Sequence, residues 1–164
     1  MSSPFTITPA TTPSDLASAA TLFRAYATAL GQDLTFQNFT QELSTLPGKY
    51  SPPTGALLLA KSTTFPTNEA IGCVALRPLP PDTSVCEMKR LYVSPAGRGT
   101  GVGKALADAV IAEARRLGYA SMKLDTLASL GPALRLYKAL GFREIEAYYA
   151  NPLEEVIYLE LALR

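Results

Sequence analysis

This chain of 164 residues predicts a mixed α/β (α+β) fold: a mostly antiparallel central sheet of about seven strands, flanked by about four helices. Three observations lead there. Apolar residues make up 48% of the chain, enough for one sizeable core, so residues 1–164 read as a single domain. Segments of period 2 and period 3.6 follow one another as strand, two helices, three strands, helix, strand, helix, two strands. A glycine-rich turn, Gly97–Gly103, joins one of those strands directly to a helix.

In chain order, Phe5–Thr8 reads as a short strand closed by Pro9. Ser14 and Asp15 supply N-cap chemistry for a helix with Leu16, Ala19, Ala20, Phe23, Ala27 and Leu30 on one face, and Gly31 stops it. A weaker helix spans about Phe36–Leu46 and ends at Pro47-Gly48. Ala56–Lys61 and Ala70–Arg77 are strands around a polar loop. After the turn at Pro78, Pro80 and Pro81 comes a third strand, Ser84–Val93, ended by Ser94-Pro95. The helix after the glycine turn carries Val102, Leu106, Ala109, Val110 and Leu117 as its apolar stripe. Arg115 and Arg116 stand at its negative end, and Gly118 follows as the C-cap. Ser121–Thr126 is a strand; Gly131-Pro132 opens a helix lined by Ala133, Leu136, Tyr137 and Leu140, and Gly141 closes it. Glu144–Tyr149 and Glu155–Leu163 complete the sheet around an Asn151-Pro152 turn.

Composition narrows the function. Fifteen Lys and Arg against fourteen Asp and Glu leave a formal charge of +1, which argues against nucleic acid or an anionic membrane as partner. The absence of His removes Ser-His-Asp and Cys-His catalysis, His-based metal sites and a His general base. Cys73 and Cys86 are too few for a disulfide scaffold and read as half-buried thiols in a reducing compartment. The charge-free run Met1–Ser14 lacks the basic and apolar regions of a signal peptide, and Asn38-Phe39-Thr40 matches the glycosylation sequon without such a signal. A cytoplasmic protein is expected.

The segment Arg98-Gly99-Thr100-Gly101-Val102-Gly103-Lys104 carries the chemistry. Glycines let several backbone N–H groups face one way, and the helix behind adds about half a positive charge, so the loop suits phosphate. The P-loop pattern fails because its first glycine position holds Arg98 and Ala105 follows Lys104. The dinucleotide pattern G-x-G-x-x-G ends at Val102, Lys104 or Leu106 and fails in every register. An R-x-x-G-x-G pattern fits at Arg98, Gly101 and Gly103.

With the strand Glu87-Met88-Lys89-Arg90-Leu91-Tyr92-Val93 before that loop and Ala133-Leu134-Arg135-Leu136-Tyr137-Lys138-Ala139-Leu140-Gly141-Phe142 after it, the chain resembles the GNAT superfamily of acetyl-CoA-dependent N-acetyltransferases over about Ser84–Phe142. The resemblance implies acetyl-CoA as cosubstrate, no metal, and an amine acceptor on a small molecule or peptide. It implies that Arg98, Gly99, Thr100, Gly101, Val102, Gly103 and Lys104 cradle the pyrophosphate. Leu91, Tyr92 and Val93 would lie along the pantetheine arm, with Leu91 and Val93 pairing through their backbones. Tyr137 falls where the family places its general acid. Leu130, seven residues earlier, stands where many members have a cofactor-contacting Asn.

An amine must be neutral to attack a thioester, so a proton acceptor is needed, and without His the candidates are carboxylates. Glu87 lies near where several members keep a catalytic Glu; an ion pair with Lys89 or another exposed cation is the competing reading. Asp125 is a second candidate, or a cap on the following turn. Tyr148, Tyr149 and Asn151 are expected to line the acceptor pocket. Cys86 lacks a base or cation beside it and is a poor nucleophile. The alternative to an enzyme is a non-catalytic acyl-CoA-binding or sensing module. The quaternary expectation is a monomer or homodimer.

Overall fold

The structure is a computed structural model that describes residues 4–31, 34, 38–64 and 66–164. Seven strands form one sheet: β1 (Phe5–Pro9), β2 (Ala56–Ser62), β3 (Ala70–Pro78), β4 (Val85–Val93), β5 (Ser121–Leu127), β6 (Arg143–Ile145) and β7 (Val156–Ala162). Their spatial order is β1-β2-β3-β4-β5-β7-β6, as the mixed, mostly antiparallel prediction required. Only β4 and β5 run parallel, because a helix crosses over between them.

Among the described residues four α-helices cover the sheet: α1 (Pro13–Leu30), α2 (Phe39–Ser44), α3 (Val102–Arg116) and α4 (Gly131–Ala139). On one face α3 inserts Val102, Leu106, Val110 and Ala114 against Val74, Leu76, Met88 and Met122, with Tyr137 of α4 beside them. On the other face α1 packs Ala19, Leu22 and Phe23 against Leu57, Leu59, Cys73 and Ala75. Period 2 in the strands therefore divides their side chains between two cores.

Several local expectations change. The N-cap of α1 is Thr12, whose side-chain oxygen accepts the Asp15 N–H at 3.0 Å while Asp15 reaches back to the Thr12 backbone. Pro13 takes the first helical position, so Ser14 lies inside the helix and Asp15 is the N3 member of a capping box. The N-cap of α4 is Leu130, one residue earlier than expected. The described part of the weak second helix is Phe39–Ser44; its expected start at Phe36 lies outside the described residues. The strand expected over Glu144–Tyr149 ends at Ile145. Tyr148 and Tyr149 both hydrogen-bond carboxylates on one side of the sheet, which consecutive residues of a strand, pointing to opposite faces, do not do.

The feature that shapes the site is a bulge in β4. Cys73 pairs with Tyr92 and Ala75 with Lys89, so Arg90 and Leu91 together oppose Val74. Arg90 takes φ +62°, a left-handed conformation that costs a non-glycine residue about 1–2 kcal/mol. Pairing of β4 with β5 covers only Val85–Glu87 against Ser121–Lys123. Beyond it the two strands lie side by side without a ladder, leaving a notch in the middle of the sheet.

Candidate active site

At the mouth of the notch the chain turns from β4 into α3. Gly99 and Gly101 have φ +78° and +85°, and Gly101 is the N-cap of α3. No side chain caps this end, and the first bond into the helix runs from the Ala105 N–H to the Gly101 carbonyl at 3.1 Å. The N–H groups of Val102, Gly103 and Lys104 are therefore left without intrahelical acceptors at the positive end of the helix dipole. A Cβ on Gly103 would sit 3.6 Å from Val93, which places these donors against the end of β4. Thr100 Oγ1 donates to the Gly97 carbonyl and holds the loop closed. Arg98 Nε lies 3.4 Å from the Val93 carbonyl, and the exposed Lys104 pairs with Asp108 at 2.7 Å.

Leu91, Leu124, Asp125, Leu130 and Tyr137 line the notch. Tyr92 points to the other face, edge-on to Tyr26 at 6.5 Å. Tyr137 is buried, with its ring edge-on to Phe142 at 5.7 Å. Burial pushes its phenol above the ordinary tyrosine range, so it carries its proton at neutral pH.

A second, more open cleft of about 530 Å³ lies beyond the notch. Glu87, Tyr148, Tyr149, Arg77 and Lys123 line it, and Lys89 lines both cavities, marking where they meet. Glu87 is 2% exposed. Its Oε1 accepts Arg77 Nε at 2.9 Å with Lys89 Nζ at 3.8 Å, and its Oε2 accepts the Tyr148 hydroxyl at 2.6 Å. Desolvation alone would raise its pKa; Lys89, Tyr148 and Arg77 outweigh burial and hold the carboxyl below its usual value, hence ionised. Desolvation depresses the Lys89 ammonium in turn, opposed by Glu87. Asp125 Oδ2 accepts the Tyr149 hydroxyl at 2.6 Å and Asn151 Nδ2 at 3.3 Å. Asn151 also accepts the Leu153 N–H at 2.9 Å, so it both makes the turn and reaches the site. Cys86 is buried with its thiol pushed up to about 12, which leaves it protonated and unreactive.

One element of the site was not read from the sequence. Arg90, 4% exposed, makes a two-pronged contact with Glu42 of α2, Nε–Oε2 at 2.9 Å and Nη2–Oε1 at 3.0 Å. Its guanidinium lies 5.0 Å from the Phe39 ring centroid and 5.8 Å from that of Tyr26. The clamp ties α2 to the bulge and so fixes one wall of the cleft. Its partners are 48 residues apart, and no local pattern announces the pairing.

A sheet split between two parallel strands, with an uncapped helix N-terminus at the split and a tyrosine inside it, is the arrangement the resemblance implied, and the comparisons show the class of enzyme. This chain belongs to the acetyltransferase (GNAT) family, whose profile matches residues 18–142. It is 44% identical over 151 residues to an uncharacterized N-acetyltransferase of Schizosaccharomyces pombe, covering 92% of this chain and 90% of that protein. A crystal structure described as an acyl-CoA N-acyltransferase of Klebsiella pneumoniae superposes with a TM-score of 0.73 at 29% identity, over 98% of both chains. A Salmonella typhimurium protein described as an acetyltransferase with its cofactor acetyl-CoA shares the fold at a TM-score of 0.67 and 21% identity, over 98% of this chain and 95% of its own. The protein is an acetyltransferase. Among the described residues no helix is long and apolar enough to cross a membrane.

Proposed function

We propose that this enzyme moves the acetyl group of acetyl-CoA directly onto a primary amine of a small molecule or peptide. The observation that carries the reading is the notch between β4 and β5 with the uncapped start of α3 at its mouth. The three open N–H groups and the helix dipole bind the pyrophosphate, with Arg98 to Lys104 forming the rim. The unpaired edge of β4 from Leu91 to Val93 takes the pantetheine amides as an added strand.

The amine enters by the wider cleft and meets the thioester near Lys89. As its nitrogen bonds the carbonyl carbon and the carbon–sulfur bond breaks, Tyr137 gives its proton to the departing thiolate. The proton lost by the amine passes to Glu87, directly or through the Tyr148 hydroxyl or a water. An ionised carboxylate with a lowered pKa is a weak base, so the amine must arrive largely neutral. The rate therefore rises through neutral and alkaline pH as the acceptor discharges, and a pH profile with one amine of known pKa checks this. Asp125 orients Tyr149 at the acceptor side.

Two linked measurements test the reading. Millimolar acetyl-CoA raises the melting temperature of the wild type, and an amine releases free thiol from it. Gly101→Val removes the thermal shift: a Cβ there meets no atom within 4 Å, but the residue must hold φ +85° and its branches stand among the N–H donors. A wild type that shows no shift ends the proposal; an unaltered shift in the variant moves the phosphate site elsewhere.

A further inference from the structure

The charges of the wider cleft are unequally spent. Three carboxylates line it, Glu42, Asp82 and Glu87. Glu42 is taken by both prongs of Arg90, and Glu87 by Arg77, Lys89 and Tyr148. Asp82, at the exposed rim, accepts the N–H and hydroxyl of Ser84 at 2.9 and 2.6 Å. Against them stand Lys49, Arg77, Lys89 and Lys123, four cations for three carboxylates in the lining among the described residues; behind it Arg90 faces Glu42, and Asp125 accepts Tyr149 and Asn151. Lys49 and Lys123 form no ion pair among the described residues, and the Arg77 guanidinium gives only its Nε to Glu87.

Lys123 stands at a telling place. It is the parallel-ladder partner of Glu87, on neighbouring strands about 5 Å apart. Its Nζ lies 5.4 Å from the ring centroid of Tyr148, the tyrosine that hydrogen-bonds Glu87. A buried carboxylate and a half-buried ammonium that makes no ion pair among the described residues, with Asp82 a carboxylate that feels its charge, thus flank one aromatic ring, an arrangement that suits an amine and an anionic group borne on the same or adjacent carbons.

Resting on the acetyl-transfer reading, we infer that the acceptor is a small amino-carboxylate, an amino acid or short peptide whose amine faces Glu87 while its carboxylate is held by Lys123, with Lys49 and the outer nitrogens of Arg77 adding to the field. The same surplus disfavours a polyamine or other polycation. The cleft, at about 530 Å³, has room for such a molecule with its side chain.

The test uses matched acceptors: an amino acid, its carboxamide, and a diamine without a carboxylate. With saturating acetyl-CoA, the amino acid is expected to exceed its amide in kcat/KM at least tenfold, and the diamine by more. Lys123→Gln should lower the acid-to-amide ratio at least tenfold, mainly through KM, and Lys49→Gln should lower it less. Calorimetric titration with CoA present reads the same preference without turnover, the acid binding more tightly than the amide. Equal handling of acid and amide overturns the inference, as does a diamine preferred to both, or a ratio that neither lysine variant moves. If acetyl-CoA fails to bind at all, it is the acetyl-transfer reading that falls, while titration without cofactor still decides the carboxylate preference.

Discussion

Tyr137→Phe is expected to lower kcat by about 10²–10⁴-fold while leaving the thermal shift produced by CoA nearly unchanged. The substitution deletes one hydroxyl and keeps the ring, which is buried edge-on to Phe142 at 5.7 Å, so packing at the start of the notch survives. The hydroxyl matters only when negative charge develops on sulfur, and an interaction made only in the transition state appears in kcat rather than in ground-state affinity. Steady-state thiol release, with chemistry shown to limit turnover, reads the effect. An undiminished kcat would remove Tyr137 from the mechanism and leave solvent as the proton source.

Glu87→Gln should act on stability and rate together. Its carboxylate holds Arg77 at 2.9 Å and neighbours Lys89 at 3.8 Å at a nearly dry position, so the amide leaves two cations short of their counterion. Removing one partner of a buried pair costs about 3–5 kcal/mol, on the order of 10 °C in Tm for a chain of this size. The pH dependence has a definite sign. A carboxyl with a depressed folded-state pKa stabilises above its unfolded pKa of about 4.3, and that contribution is lost as pH falls through the folded value. The stability gap between wild type and variant is therefore widest near neutrality and closes in acid. In the rate, both profiles rise with the fraction of neutral amine, and the Gln variant lies below the wild type throughout, because the proton shed after attack has lost its acceptor. Thermal melts from pH 3 to 8 and parallel kcat/KM profiles check both. Superimposed rate profiles would make Glu87 a structural ion-pair partner alone.

The sequence alone carried the features whose chemistry is local. The positive φ angles at Gly99 and Gly101 favour glycine, and a glycine loop that feeds a helix start reads as a candidate phosphate site from a few consecutive letters. The stripe Val102, Leu106 and Val110 reads directly as the buried face of α3. Tyr137 stands in a motif on the fourth helix that marks it as the candidate general acid, and the absence of His leaves carboxylates as the candidate bases.

What only the tertiary structure decided depends on pairings between distant segments. The departure of Tyr148 and Tyr149 from the sheet is set by Glu87 and Asp125, which lie 61 and 24 residues away. Local periodicity cannot weigh such partners against a continued strand at the sheet edge, and so it extended β6 too far. The Arg90 bulge and the Glu42 clamp are likewise long-range, and the left-handed turn at an arginine runs against its own backbone preference. Held by a two-pronged ion pair and two aromatic rings, that turn accompanies the separation of β4 from β5 that opens the notch. Residue type and spacing thus determined which groups were available. The register between strands determined which of them share a cleft, because a carboxylate becomes an ion-pair hub or a proton acceptor only by what the fold sets within about 4 Å of it.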